Sequence, residues 1–159
     1  HRPGDSRLWR RRADLAFEQN HFGRARRSYE RTIATGDSSA TPYRRVGMID
    51  VRKNRYERAR TSLRRSYLKD STNTRTTLYL GISYLRTDSL QQASTFLQRT
   101  IDREADGPIT EALIQKGNVS KQRREVRGAV RSYKTALRLR PNRTVSPVKR
   151  PTLWIGTPA

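Results

Sequence analysis

The stretch Gly128-Ala129-Val130-Arg131-Ser132-Tyr133-Lys134-Thr135-Ala136-Leu137-Arg138-Leu139-Arg140-Pro141-Asn142 decides how the chain is read. Around the small Ala129 stand bulky Val126 three residues before and Tyr133 four after, then Ala136 three later, and steps of three and four mark one helix face. Moving outward, the same arrangement recurs around Ala25 (Phe22, Tyr29, Thr32), Ala59 (Tyr56, Leu63, Ser66) and Ala93 (Leu90, Leu97, Thr100). Twelve residues before each alanine is another small residue, Ala13, Gly47, Gly81 and Gly117, spaced 34, 34 and 36 apart. Two small residues twelve apart belong to separate helices. Antiparallel helices approach closely only where side chains are small and large neighbours fill the groove, so the period is that of a stacked helical hairpin.

These residues resemble the tetratricopeptide repeat family, the segment ending in Pro141 most closely and the first repeat, with Trp9, Ala13, Ala25 and Tyr29, nearly as well. Repeats two and three depart from the pattern: Asp50 stands where a large apolar residue is usual, and neither ends in proline. The resemblance implies an all-α, right-handed superhelical solenoid of four antiparallel helix pairs, about eight helices. Its expected span is 6–143, in repeats 6–39, 40–73, 74–107 and 110–143, followed by an extended Pro-rich tail, 144–159. Helix pairs are expected at 6–19 with 22–35, 40–53 with 56–69, 74–87 with 90–103, and 110–123 with 126–139. Turns are expected at Asn20-His21, Lys53-Asn54-Arg55 and Thr87-Asp88-Ser89, where residues that bend or cap the chain stand. A loop insertion is expected over Asp102–Pro108.

Composition narrows the function. Cysteine is absent, only His1 and His21 could supply imidazole, and no paired carboxylates, Gly-rich phosphate loop or nucleophile elbow appears. The sequence therefore points to no enzyme, no cofactor and no metal. No run of apolar residues is long enough to span a membrane. Lys plus Arg number 35 against 14 Asp plus Glu, a net charge of +21 carried mostly by arginine, and such a field favours acidic partners. Arginines such as Arg24, Arg26 and Arg27, or Arg58, Arg60, Arg64 and Arg65, lie on several helices and read as a cationic surface all round. With only 12 aromatics, nucleic acid ranks as a minor, non-specific partner.

In the family the first helix of each pair lines a concave groove. Carried over by the resemblance, partner-facing positions are Arg7, Arg10, Asp14 and Phe17; Thr41, Arg44, Met48, Val51 and Arg52; Arg75, Leu78, Ile82, Leu85 and Arg86; and Ile114, Asn118, Lys121 and Gln122. The expected groove has an apolar floor rimmed by arginine, suited to a peptide with apolar anchors and acidic flanks. The set some members use to clamp a terminal carboxylate falls on Arg10, Asp14, Arg45, Arg75 and Tyr79, and the Asp argues against that use.

Repeat stacks need polar caps at their ends. Here the first helix offers Leu8, Trp9 and Leu15, the last offers Val130, Tyr133 and Leu137, and the tail carries the apolar cluster Leu153-Trp154-Ile155. These residues point to self-association, head to tail, into a structural and filamentous assembly. The alternative is a soluble adaptor whose groove takes acidic or apolar peptides of another protein. The chain begins at His1, as expected of a processed form or a fragment; sequons at Asn118 and Asn142 and 29 Ser plus Thr fit an extracellular glycoprotein.

Overall fold

The computed structural model describes residues 5–103 and 109–139. Among them are eight helices and no strand: α1 (Ser6–Glu18), α2 (Phe22–Ala34), α3 (Ala40–Arg52), α4 (Tyr56–Lys69), α5 (Thr74–Arg86), α6 (Leu90–Asp102), α7 (Ile109–Gln122) and α8 (Val126–Leu139). The all-α solenoid expected from the sequence is the observed fold. Of the loop insertion expected over Asp102–Pro108, Asp102 is the last residue of α6, and 104–108 lie outside the described residues, as does the tail 144–159.

Each hairpin closes by one device. Asn20, Asn54, Asp88 and Arg124 take left-handed backbone conformations, with φ between 58° and 62°. The amide of the next residue then returns to a carbonyl five residues back: His21 to Ala16 at 2.8 Å, Arg55 to Asp50 at 2.8 Å, Ser89 to Tyr84 at 2.9 Å and Glu125 to Ser120 at 2.8 Å. This satisfies carbonyls orphaned at the helix end. Asn and Asp tolerate the conformation through their short polar side chains. Arg124 has no such chemistry, and its turn was not anticipated.

The small residues do what their spacing implies. A Cβ added to Gly47 would sit 2.4 Å from Leu63 Cγ, one on Gly81 would sit 2.7 Å from Leu97 Cγ, and one on Gly117 would sit 2.4 Å from Tyr133 Cε1. Ala13 and Tyr29 share the equivalent cluster in the first pair. Successive pairs join through α2 on α3, α4 on α5 and α6 on α7. Those seams mix apolar and polar contacts: Ser66 and Thr76 hydroxyls lie 3.3 Å apart, and Phe96 sits against both Tyr67 and Tyr84.

The same seams explain Asp50. Far from a surface intrusion, its side chain is fully buried between the first two pairs and receives Arg26 Nε at 3.0 Å. Arg26 also reaches Glu30 at 2.7 Å. Burying a carboxylate is tolerable only with a partner of this kind.

Candidate functional site

First helices touch one another along the row, α3 with α5 and α5 with α7. Second helices are bridged by long side chains, as where Arg99 covers the Tyr67 and Phe96 rings. The row α3, α5, α7 is therefore the tighter layer, which makes the first-helix side the concave one.

At the amino-terminal end of that side, Tyr29 reaches under α1 and donates to Asp14 Oδ1 at 2.5 Å. Burial, reinforced by this bond and by the carboxylate charge, pushes its phenol well above its ordinary value. The hydroxyl stays protonated and Asp14 stays occupied. Arg45 lies over the Phe17 ring at 4.3 Å, and its Nε is buried without a hydrogen-bond partner. Arg44, beside it, is half-buried; burial first, and then repulsion from Arg45, lowers its pKa below the usual guanidinium value. Arg10 pairs with Asp37 at 3.4 Å. Burial opposes ionisation of Asp37, but bonds from Ser39 and the nearby Arg10 outweigh it and hold the carboxyl below its ordinary range.

At the other end, an open cleft of about 530 Å³ runs between α5 and α7, lined by Leu85, Arg86, Asn118, Lys121 and Gln122. Tyr133 repeats the role of Tyr29, donating to Asn118 Oδ1 at 2.7 Å.

The expected floor shrinks. Met48, Leu78 and Leu85 are at most 5% exposed; Leu78 and Leu85 pack in the cluster that joins α5, α6 and α7, and Leu85 also borders the cleft between α5 and α7. Phe17, Val51 and Ile82 pack against the core but stay partly accessible, and Ile114 is exposed. Of the rim, Arg7, Arg52, Arg75 and Arg86 are exposed, while Arg10 and Arg44 are half-buried; Arg52 covers the Phe22 ring at 4.8 Å.

The residues expected at the ends also divide. Leu8 and Leu15 are 45% and 56% exposed on α1, and Val126, Val130 and Leu137 are 71%, 44% and 56% exposed on α8. Tyr133 does not belong with them: its ring lies under Gly117, inside its own hairpin. Trp9 is half-buried, with the Arg12 guanidinium 5.6 Å from its ring. Asn118 is half-buried within α7, and besides accepting from Tyr133 it donates to Gln115 at 3.1 Å, so both amide atoms are engaged. Leu153, Trp154, Ile155 and Asn142 lie outside the described residues. Among the described residues no cluster could hold a metal ion, and no helix is long and apolar enough to cross a membrane.

Sequence reasoning missed three things: the Arg26–Asp50 pair, the two tyrosine bonds into the groove, and an arginine cluster at the first hairpin. The last is a cavity of about 280 Å³ lined by Trp9, Arg12, Arg24, Arg27, Ser28 and Arg31.

A family model described as tetratricopeptide repeat matches residues 2–155. Among solved structures, one titled as MamA is similar at 17% identity, with 86% of this chain and 79% of that one covered and a TM-score of 0.77. A MamA fragment from Desulfovibrio magneticus RS-1 aligns at 14% identity over 91% and 81%, TM-score 0.79. YrrB, titled as a TPR protein with an unusual peptide-binding site, aligns at 13% identity over 88% and 71%, TM-score 0.79. A search of curated proteins found no match to the sequence.

Proposed function

We propose that this chain, which belongs to the tetratricopeptide repeat family, is a non-catalytic protein-interaction scaffold whose first-helix groove binds an acidic peptide with apolar anchors. One observation carries the reading: Arg45 is stacked on Phe17 with a buried Nε that finds no acceptor. A buried donor left unmet is costly, so the Arg45 side chain gains by shifting toward a carboxylate laid along the groove, which would also answer the charge of Arg44 and Arg75. The cleft between α5 and α7 offers the same peptide Leu85 below and Arg86 and Lys121 beside it. That YrrB, of similar fold, has a peptide-binding site is consistent with this use of the architecture.

The test is fluorescence anisotropy with an extended peptide alternating Glu and Leu against its Lys-for-Glu counterpart. The acidic peptide should bind, and Arg45→Gln with Arg86→Gln should weaken it about tenfold or more. Equal binding of the two peptides, or no effect of the substitutions, overturns the reading.

Self-association is a second reading, supported by the exposed apolar residues Leu8 and Leu15 at one end and Val130 and Leu137 at the other. Charge weighs against simple head-to-tail stacking, because α8 carries Arg127, Arg131, Lys134 and Arg138 while the α1–α2 end carries Arg12, Arg24, Arg27 and Arg31. Like-charged faces attract poorly. Filament formation, an extracellular location and glycosylation remain parts of this second reading. Sedimentation velocity tests it: concentration-dependent growth supports it, and a single monomer boundary overturns it.

A further inference from the structure

We infer that the open face of the first hairpin, away from the groove, is a docking site for an acidic amphipathic helix of a partner protein. Leu8 and Leu15 hold the positions that in later pairs are Pro42 and Ile49, Thr76 and Ser83, and Ala112 and Val119. Every one of those six is buried, because the second helix of the preceding pair lies across it. Leu8 and Leu15 are about half exposed and two helical turns apart on one side of α1. The face is shaped for a helix laid across it, as α2 lies across α3.

Charge then selects the helix. Arg12, Arg24, Arg27 and Arg31 surround Trp9 and Ser28 in one cavity beside this face. Among the described residues none of the four is in an ion pair, whereas Arg26 on the neighbouring side of α2 is held by both Glu30 and Asp50. Four unneutralised guanidinium groups beside an apolar stripe fit carboxylates flanking leucine-like anchors. A second copy presenting α8 would bring Arg127, Arg131, Lys134 and Arg138 against them. The segment 144–159 contains Lys149 and Arg150 and no acidic residue. Neither answers the charge, whereas a helix that is apolar on one stripe and acidic beside it does, and a partner protein is the source we commit to.

The test uses the full chain and a labelled helical peptide with Leu at three- and four-residue spacing and Glu on the adjoining face, with a Lys-for-Glu version as control. Binding should be seen for the acidic peptide alone. Arg24→Glu with Arg27→Glu, both at exposed positions, should reduce it at least about tenfold, as should Leu15→Asp, while circular dichroism stays unchanged. Arg45→Gln should leave it intact, which separates this face from the groove. Loss of binding on Arg45→Gln but not on the α2 reversals overturns the proposal. So does a sedimentation shift from oligomer to monomer with Leu15→Asp, which would make a second copy the occupant, and so does tighter binding of a single-stranded RNA of similar charge to the same arginines.

Discussion

The two outer helix pairs and the two inner ones close the same seam with different chemistry. In the inner pairs Gly47 and Gly81 receive Leu63 and Leu97, hydrocarbon against backbone. In the outer pairs the equivalent residue is a tyrosine, whose ring fills the gap and whose hydroxyl emerges at the groove to bond Asp14 or Asn118. The residues next to the inner glycines are Met48, which is buried, and Ile82, which stays partly accessible. The polar atoms that the seam-filling residues present to the groove therefore stand at its two ends. One packing rule leaves room for a functional pattern, because the side chain that fills a seam can end in a methyl group or in a donor.

The largest test of this contrast is Gly81→Leu. Leu97 is fully buried, and its backbone nitrogen lies only 3.3 Å from where a Cβ would be built. Overpacking should cost about 1 to 3 kcal/mol, read as a fall in thermal midpoint. Gly23→Ala is the control: a Cβ there meets nothing within 4 Å, so relief of glycine entropy in a helix should stabilise by about 0.5 to 1 kcal/mol. Equal, small effects at both sites would mean that the inner seam is not closed as described.

A comparable loss at one end and a smaller one at the other separate the two outer pairs. Tyr29→Phe removes a bond to a charged acceptor, Asp14, and should cost about 1.5 to 3 kcal/mol; Tyr133→Phe removes a bond to the neutral Asn118 and should cost about 0.5 to 1.5 kcal/mol. Urea denaturation of the two variants checks the order. If Tyr133→Phe proves the more damaging, charge on the acceptor is not what distinguishes the ends.

The helices were legible in the sequence because a 34-residue spacing of small residues is a direct imprint of helix crossings. Three of the four turns were legible because Asn20, Asn54 and Asp88 carry the chemistry of a left-handed residue, and Arg124 was not because it carries none. The groove was half legible. Offsets from Gly47 and Gly81 locate the first-helix positions, but they do not tell how deeply a side chain is buried, and so Met48, Leu78 and Leu85 read as open floor although each is at most 5% exposed. Asp50 read as a flaw for a similar reason. Its partner Arg26 is 24 residues away on the preceding pair, beyond any local window. The cluster of Arg12, Arg24, Arg27 and Arg31 was hidden among 35 basic residues until α1 and α2 brought it together.

The smallest predicted effect concerns acid, and it compares the loop leaving an outer pair with the loop between the inner ones. Asp37 and Asp70 both titrate below the ordinary 3.8 of a free aspartate. Bonds from Thr72 are the main cause at Asp70; at Asp37, Ser39 and Arg10 together overcome burial. A carboxyl whose pKa is depressed by folding contributes stability that is complete above its unfolded value and is lost as pH falls through its folded value. Neither group should therefore affect stability between about pH 5 and 7, and both should subtract from it below about pH 4. Arg10 is 37% exposed, so its pairing with Asp37 is screened and should contribute no more than about 1 kcal/mol. Salt should weaken that share while leaving the Thr72 bonds to Asp70 nearly untouched. Urea denaturation from about pH 3 to 6, at low and high salt, should show a shallower acid limb for both Asp37→Asn and Asp70→Asn. The Asp37→Asn chain should also lose more of the salt dependence than Asp70→Asn, where attraction to Arg44 and Arg103 ranks behind the Thr72 bonds. Stability that rises on acidification, or a salt response that survives in Asp37→Asn and disappears in Asp70→Asn, would reverse the assignment of which loop depends on an ion pair.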